Sequence, residues 1–192
     1  MPDLIPPVEL SQYGRKLIVG IFLILFLILA IGIGGYIYFP ETIPTHFGFS
    51  EKPDAYGSKV YLIIIAIILS LTLLLIMLIV KYRFTLINKY PYLINLPGFF
   101  TYIEKIEYSR RGYWYNLYFE KILWFNLFLA VYFLLIMILI FESARTGEMD
   151  VVGLILIMLM PFVAIVPFIV SLSTLSKEMK REAQELGNPK LD

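Results

Sequence analysis

VYLIIIAIILSLTLLLIMLIV, residues 60–80, contains no Asp, Glu, Lys, Arg or His, and about sixteen of its residues are Leu, Ile or Val. At a helical rise of about 1.5 Å per residue, a run of this length matches a hydrocarbon core about 30 Å thick. Each such residue contributes roughly −0.3 to −0.6 kcal/mol near a helix centre, so insertion gains about 5–10 kcal/mol as an upper bound. Backbone amides in lipid must be paired within the segment, which makes the run a helix. Ser70 and Thr72 fit that reading, because a hydroxyl can return a hydrogen bond to the preceding turn.

Three further runs, 17–38, 122–141 and 151–175, are equally free of charge and histidine, and 59% of the whole chain is hydrophobic. The first is longer than the 7–15 residue apolar core of a signal peptide. It continues through Tyr36-Ile37-Tyr38-Phe39-Pro40 without a small-x-small cleavage site, so it is expected to remain as a span. The expected fold is an all-α integral membrane four-helix bundle of two helical hairpins, with an interfacial amphipathic segment on the cytoplasmic side. Its expected parts are an N-terminal tail (1–16), a first hairpin (17–81) carrying a loop at 39–59, a connection (82–121), a second hairpin (122–175) and a C-terminal helix and tail (176–192).

Thirteen Lys and Arg residues fall in the tails and the connection, Lys190 among them, against three (Lys52, Lys59, Arg145) in the other two loops. The positive-inside bias then predicts a multi-pass protein of the cell membrane with both termini cytoplasmic and loops 39–59 and 142–150 outside. A formal net charge of +1 offers no basic field for nucleic acid, and none is expected as a partner. The absence of cysteine excludes disulfides, thiolate metal sites, iron–sulfur clusters and thiol catalysis.

The connection is rich in aromatics, and after Gly98 the residues Phe99, Tyr102, Ile103 and Ile106 share one helical face. That pattern predicts a helix lying in the headgroup layer, with Arg110 and Arg111 meeting lipid phosphates. Basic residues among aromatics also suit single-stranded nucleic acid, but a tether between two spans favours the interfacial reading. Pro161 and Pro167 predict bends in the last span, packed against neighbours or opening a cavity. Beyond it, 177–186 reads as a polar helix with Arg181 and Glu185 one turn apart, stopped by Gly187 and Pro189. Ala30 and Gly34 are a small-xxx-small cue for helix contact, and Asn126 is expected to bond a neighbouring helix. Glu142, Glu148 and Asp150 read as solvated loop charges.

Between the first two spans lies IPTHFGFSEKPDAYGSK, residues 43–59, which holds the only histidine of the chain. Its prolines and glycines predict an ordered loop, with a type I turn over Lys52–Ala55 and a positive φ at Gly57. Lys59 is expected to snorkel toward phosphate, and Phe47, Phe49 and Tyr56 to dip into the interface. His46 and Asp54 can hydrogen-bond to each other within the loop.

The stretch resembles the N-terminal segment of the SdpI-like immunity and signalling membrane proteins, and of the related membrane family of unknown function that shares it. Ile43, Pro44, His46, Phe47, Pro53, Asp54, Tyr56, Gly57, Ser58 and Lys59 carry the resemblance, which covers the first hairpin only. Gly48, Glu51 and Ala55 depart from its usual pattern, and RRGYWYN at 110–116 does not reproduce the second SdpI hallmark. The resemblance implies a protein that acts by binding, as an immunity, sensing or accessory subunit. The expected partner site is His46, Phe47, Asp54, Tyr56 and Lys59, facing a protein or peptide, with the bilayer as the other partner and a homo-oligomer left open. No catalytic residue, cofactor or metal is expected. The alternative is a membrane-embedded enzyme or metal-dependent hydrolase around His46, drawing on Asp54, Glu41, Glu51 or Glu142. A transporter would want ionisable groups inside the spans, and these spans have none.

Overall fold

The computed structural model describes residues 5–48 and 51–187; Phe49, Pro189 and Lys190 lie outside them. Each apolar run becomes a helix: α1 Gln12–Tyr38, α2 Val60–Lys81, α5 Tyr108–Thr146 and α6 Val151–Gly187. The short helices α3 (Arg83–Lys89) and α4 (Phe99–Tyr102) and two single 3-10 turns lie between the second and third spans. The chain is therefore an all-α, four-span membrane bundle.

The loop between the first two spans is a β-hairpin, β1 Thr42–Phe47 paired antiparallel with β2 Pro53–Ser58. The bundle thus has a hairpin end, where the α5–α6 connection also lies, and an opposite, terminal end, where the described residues begin and stop.

Helix packing starts from glycine, but not the expected one. Gly34 has open space around it and Ala30 is exposed. The close contact is made by Gly32, where a Cβ would stand 2.6 Å from Ala66 Cβ and 3.1 Å from the Leu62 carbonyl oxygen. Gly35 does the same against Leu62 Cδ1 at 2.7 Å. One face of α1 is therefore bare backbone, and α2 fits into it. Between α2 and α5, Asn126 Nδ2 donates to the Leu73 carbonyl (3.3 Å), the interhelical bond expected of it. Thr72 returns its hydroxyl to Ile68 O (3.0 Å), while Ser70 Oγ has no protein partner.

α6 stands apart. Only 6% of its most apolar window is buried, against 22–28% for the other three spans. It runs unbroken through Pro161 and Pro167, and Asp150 caps its start through Gly153 N (2.9 Å) instead of standing as a free loop charge. Arg145 pairs with Glu142, and Gly147, at φ 70, ends α5 in the left-handed region.

α5 has 39 residues, about 58 Å at 1.5 Å per residue, nearly twice the hydrocarbon core. Its first turns and the last turns of α6 project beyond the apolar spans and extend the main core to the terminal end. The aromatics of the connection divide: Trp114, Tyr115, Tyr118 and Phe119 are buried, as are Phe99, Ile103 and Ile106, whereas Tyr90, Tyr92, Phe100, Tyr108 and Tyr113 are exposed. The amphipathic stripe after Gly98 is real, but it faces α5 and α6. The aromatic residues cluster, Phe99–Tyr118 edge-to-face at 5.7 Å and Tyr115–Phe119 tilted at 4.8 Å between centroids.

A polar network ties the N-terminal strap, residues 5–11, across this core. Arg83, 7% exposed, donates from Nε to Asn116 Oδ1 (3.0 Å), from Nη1 to Val80 O (3.0 Å) and from Nη2 to Val8 O (2.9 Å). Asn116 Nδ2 reaches Glu9 O and Glu120 Oε1, both at 3.2 Å, and that same Oε1 accepts from Ser11 N (3.0 Å). Asn88 pairs both ways with the Ile5 backbone, at 3.0 and 2.9 Å. Tyr115, its phenol pushed above the ordinary value by burial, donates to Arg83 O (2.8 Å). Gly112 leaves room for the strap, since a Cβ there would collide with Pro6 O.

Candidate functional site

The hairpin is assembled by cross-strand pairing of Thr42 with Ser58, Ile43 with Gly57 and Pro44 with Tyr56. The turn is earlier than expected. Gly48 N donates to Lys52 O (3.1 Å) and Glu51 N to Gly48 O (3.0 Å), with Glu51 at φ 61. Pro53 is then the first residue of β2, where a missing N–H costs an edge strand nothing. Gly57 has no positive φ; glycine is required because a Cβ would stand 2.9 Å from both Thr45 Cγ2 and Tyr61 Cε2.

Isolated two-stranded hairpins are marginal in water, and this one is fastened at its base. Ile43, 3% exposed, packs with Phe39 and Leu62 against Ile140 and Phe141 of α5. Lys59 was expected to reach for phosphate but turns inward. Its side chain is 13% exposed, with Nζ 3.0 Å from Glu41 Oε1, 3.3 Å from Phe39 O and 4.9 Å from the Tyr36 ring centroid. Lys59 N also donates to Glu41 O (3.1 Å). This lysine locks both strands to the ends of α1 and α2.

Nearer the tip the ladder slips. The register shifts between Pro44 and His46 and again between His46 and Phe47, so that His46 opposes Ala55 and Phe47 opposes Pro53. Bulges of this kind re-aim side chains. They bring His46 Nδ1 to 2.5 Å from Asp54 Oδ1, with the two side chains 69% and 52% exposed. Beside this pair lies a recess of about 560 Å³, lined by His46, Phe47, Glu51, Asp54, Met149 and Leu154. A second recess of about 360 Å³ runs beneath β1 toward Tyr61, Ile65 and Leu139. Phe47 and Met149 line both. Met149 N donates to Glu51 O (3.4 Å), which joins the α5–α6 connection to the hairpin tip.

Of the five residues read from the sequence, His46, Phe47 and Asp54 come together at this recess. Tyr56 is 63% exposed and lines neither recess, and Lys59 is at the base. Met149 and Leu154 carried no signal in the sequence. Among the described residues no three His, Asp or Glu side chains are grouped to hold a metal ion, so His46 and Asp54 stand as two donors only.

The two arginines assigned to lipid phosphate already have protein partners at the terminal end. Arg110 forks onto Glu182 through Nε (2.6 Å) and Nη2 (2.7 Å). Arg111 donates to the carbonyls of Ile106 (3.1 Å) and Glu104 (3.0 Å). The hydrogen bond from Arg110, with a smaller contribution from its charge, holds the Glu182 carboxyl below its ordinary pKa.

Four long apolar helices, a hairpin clamped over one end and a buried polar core at the other define a multi-pass membrane protein. Residues 22–71, which run from α1 through the hairpin into α2, match a family described as a domain of unknown function (DUF1648). An uncharacterized protein of Archaeoglobus fulgidus is 37% identical over 181 residues, covering 94% of this chain and 99% of that protein. The chain belongs to the family of that archaeal protein. No solved structure matches it.

Proposed function

We propose that the protein acts by binding: its hairpin end recognises a peptide or a protein segment, in an immunity, sensing or accessory role of the SdpI-like kind that the 43–59 segment resembles. One observation carries the reading. An exposed acid–histidine pair stands at the mouth of an apolar recess, on a hairpin whose two strands are both sheet edges. Such an arrangement offers apolar contact, charge and free backbone groups to an extended segment, the ingredients of strand addition. Lys59 has the supporting part, since it fixes the hairpin to the bundle. The lysine and arginine distribution favours placing this end outside the cell, with both termini in the cytoplasm.

The test is capture from native membranes by a photoreactive residue at Tyr56, comparing the parent with His46→Ala and Asp54→Ala. A discrete adduct that both substitutions weaken, at unchanged membrane insertion, supports the proposal. An adduct indifferent to both overturns the assigned residues.

A further inference from the structure

A recess of about 840 Å³ lies elsewhere, between α1 and α2 near the terminal end. That lies in the upper part of the roughly 300–1,000 Å³ common for small-molecule sites. Its wall is apolar over two turns of α2 (Leu71, Leu74, Leu75 and Leu78) and is completed by Ile18 and Phe22 of α1. Phe22, Leu71 and Leu75 are exposed to whatever surrounds the bundle. Charge appears only at the terminal end of the groove, as Arg15, Lys81 and Arg83 against one carboxylate, Glu9.

These charges are unequally committed. Arg15 Nη1 is 3.2 Å from Glu9 Oε2, which neutralises that pair on the rim. Lys81 Nζ stands over the Tyr82 ring at 5.3 Å and has no carboxylate within ion-pair distance among the described residues. Arg83 is nearly buried, and its three hydrogen bonds go to a neutral amide and two carbonyls. With the buried carboxyl of Glu120 near Arg83 and Glu9 on Arg15, the terminal end of the groove keeps one free ammonium, that of Lys81. An acyl chain matches the wall, and a phosphate matches the rim.

The geometry points to an anionic phospholipid as the occupant: one tail along Leu71–Leu78 and Phe22 and the phosphate at Lys81, beside the paired Arg15 and Glu9. This site is distinct from Arg110 and Arg111, whose guanidinium groups are spent on protein partners. It is also independent of the hairpin proposal. Because Glu9 and Leu10 of the N-terminal strap form part of the rim, an occupied groove presses on the segment pinned by Arg83 and Asn116.

Full-length protein in mild detergent, titrated with dioleoyl phosphatidylglycerol or dioleoyl phosphatidylcholine, reports bound lipid by native mass spectrometry. The anionic lipid should bind the parent more tightly. Lys81→Gln should weaken it about five-fold, the equivalent of roughly one surface charge, and leave the zwitterionic lipid nearly unchanged. Leu75→Trp, placed on an exposed side chain so that folding is spared, should fill the groove and weaken both lipids. Lys177→Gln, a charge of α6 that does not line the groove, should change neither. Slower amide exchange over residues 9–11 in the anionic lipid should accompany binding. Equal loss from Lys177→Gln and Lys81→Gln would overturn the site in favour of diffuse surface charge. Unaltered binding in Leu75→Trp, or retention of inorganic phosphate alone, would overturn the acyl groove.

Discussion

Replacing Arg83 with Met tests the polar core at the terminal end, because Met keeps most of the stem volume and removes every donor. Three hydrogen bonds disappear, to Asn116 Oδ1, Val80 O and Val8 O. The two carbonyls lie at a helix end and on the strap, where water can replace the guanidinium. Asn116 and Glu120 are buried, at 6% and 7% exposure, and the Glu120 carboxyl loses a nearby cation with which it makes no direct ion pair. Leaving Asn116 Oδ1 unpaired and taking the nearby cation from Glu120 costs about 1–3 kcal/mol for each group, and relief of the Arg83 desolvation, which lowers its pKa, offsets part of that. We expect a net loss of about 3–4 kcal/mol, or roughly 6–16 °C in Tm for a chain of this size. Fluorescence is a direct readout in detergent, since Trp114 is buried in the affected core; scan rates should be matched because unfolding need not be reversible. Arg83→Lys should fall between parent and Met, having charge without the planar fork. Adding Glu120→Gln to Arg83→Met should recover part of the loss. A drop of less than about 3 °C for Arg83→Met, or no recovery in the double variant, would refute the reasoning.

Gly32→Ala should cost about 1–3 kcal/mol by forcing α1 from α2, and Ala66→Gly in the same chain should restore much of it by removing the 2.6 Å clash, both read as Tm. Because the folded Glu182 carboxyl has a lowered pKa, its pairing with Arg110 stabilises the fold above the ordinary carboxylate pKa and is lost as pH falls through the folded value. Arg110→Gln should therefore lower Tm by the equivalent of about 1 kcal/mol or less at pH 7 and flatten the acid limb below the ordinary carboxylate pKa, since Arg110 is half-exposed. The chain has no cysteine, so single cysteines report orientation without background. Ala55→Cys should react with an impermeant maleimide on intact cells and Lys177→Cys only after lysis; the reverse pattern would invert the proposed topology.

The spans were legible because a helix solvated by lipid is specified by local composition alone. Residues 17–38 and 60–80 became α1 and α2 nearly as read. The hairpin was less so. Six-residue strands that each contain proline give no clean alternation, and the turn at Gly48–Lys52 depends on a positive φ at Glu51 that no residue type advertises. The aromatic connection was legible only in part, with Tyr92 and Tyr113 exposed and Tyr115 and Tyr118 buried. Tyr and Trp suit a headgroup layer and a protein core equally well, and only the length of α5 and α6 decides that Tyr115 and Tyr118 are covered. Asn116 and Glu120, four apart beside buried aromatics, were a usable local signal of a polar network, but Arg83 and the strap join it from distant sequence. At the hairpin, the nearness of His46 and Asp54 could be read; Met149 comes from a connection about a hundred residues away and could not.

The most direct test of the account is a photoreactive residue at Tyr56, set beside the same residue at Tyr92, an exposed side chain of the connection between the second and third spans. In native membranes the account predicts a discrete peptide or protein adduct at position 56, absent at 92 and weakened by His46→Ala and by Asp54→Ala. Adducts of equal yield at both positions, or only lipid at position 56, would contradict a binding role for the hairpin end.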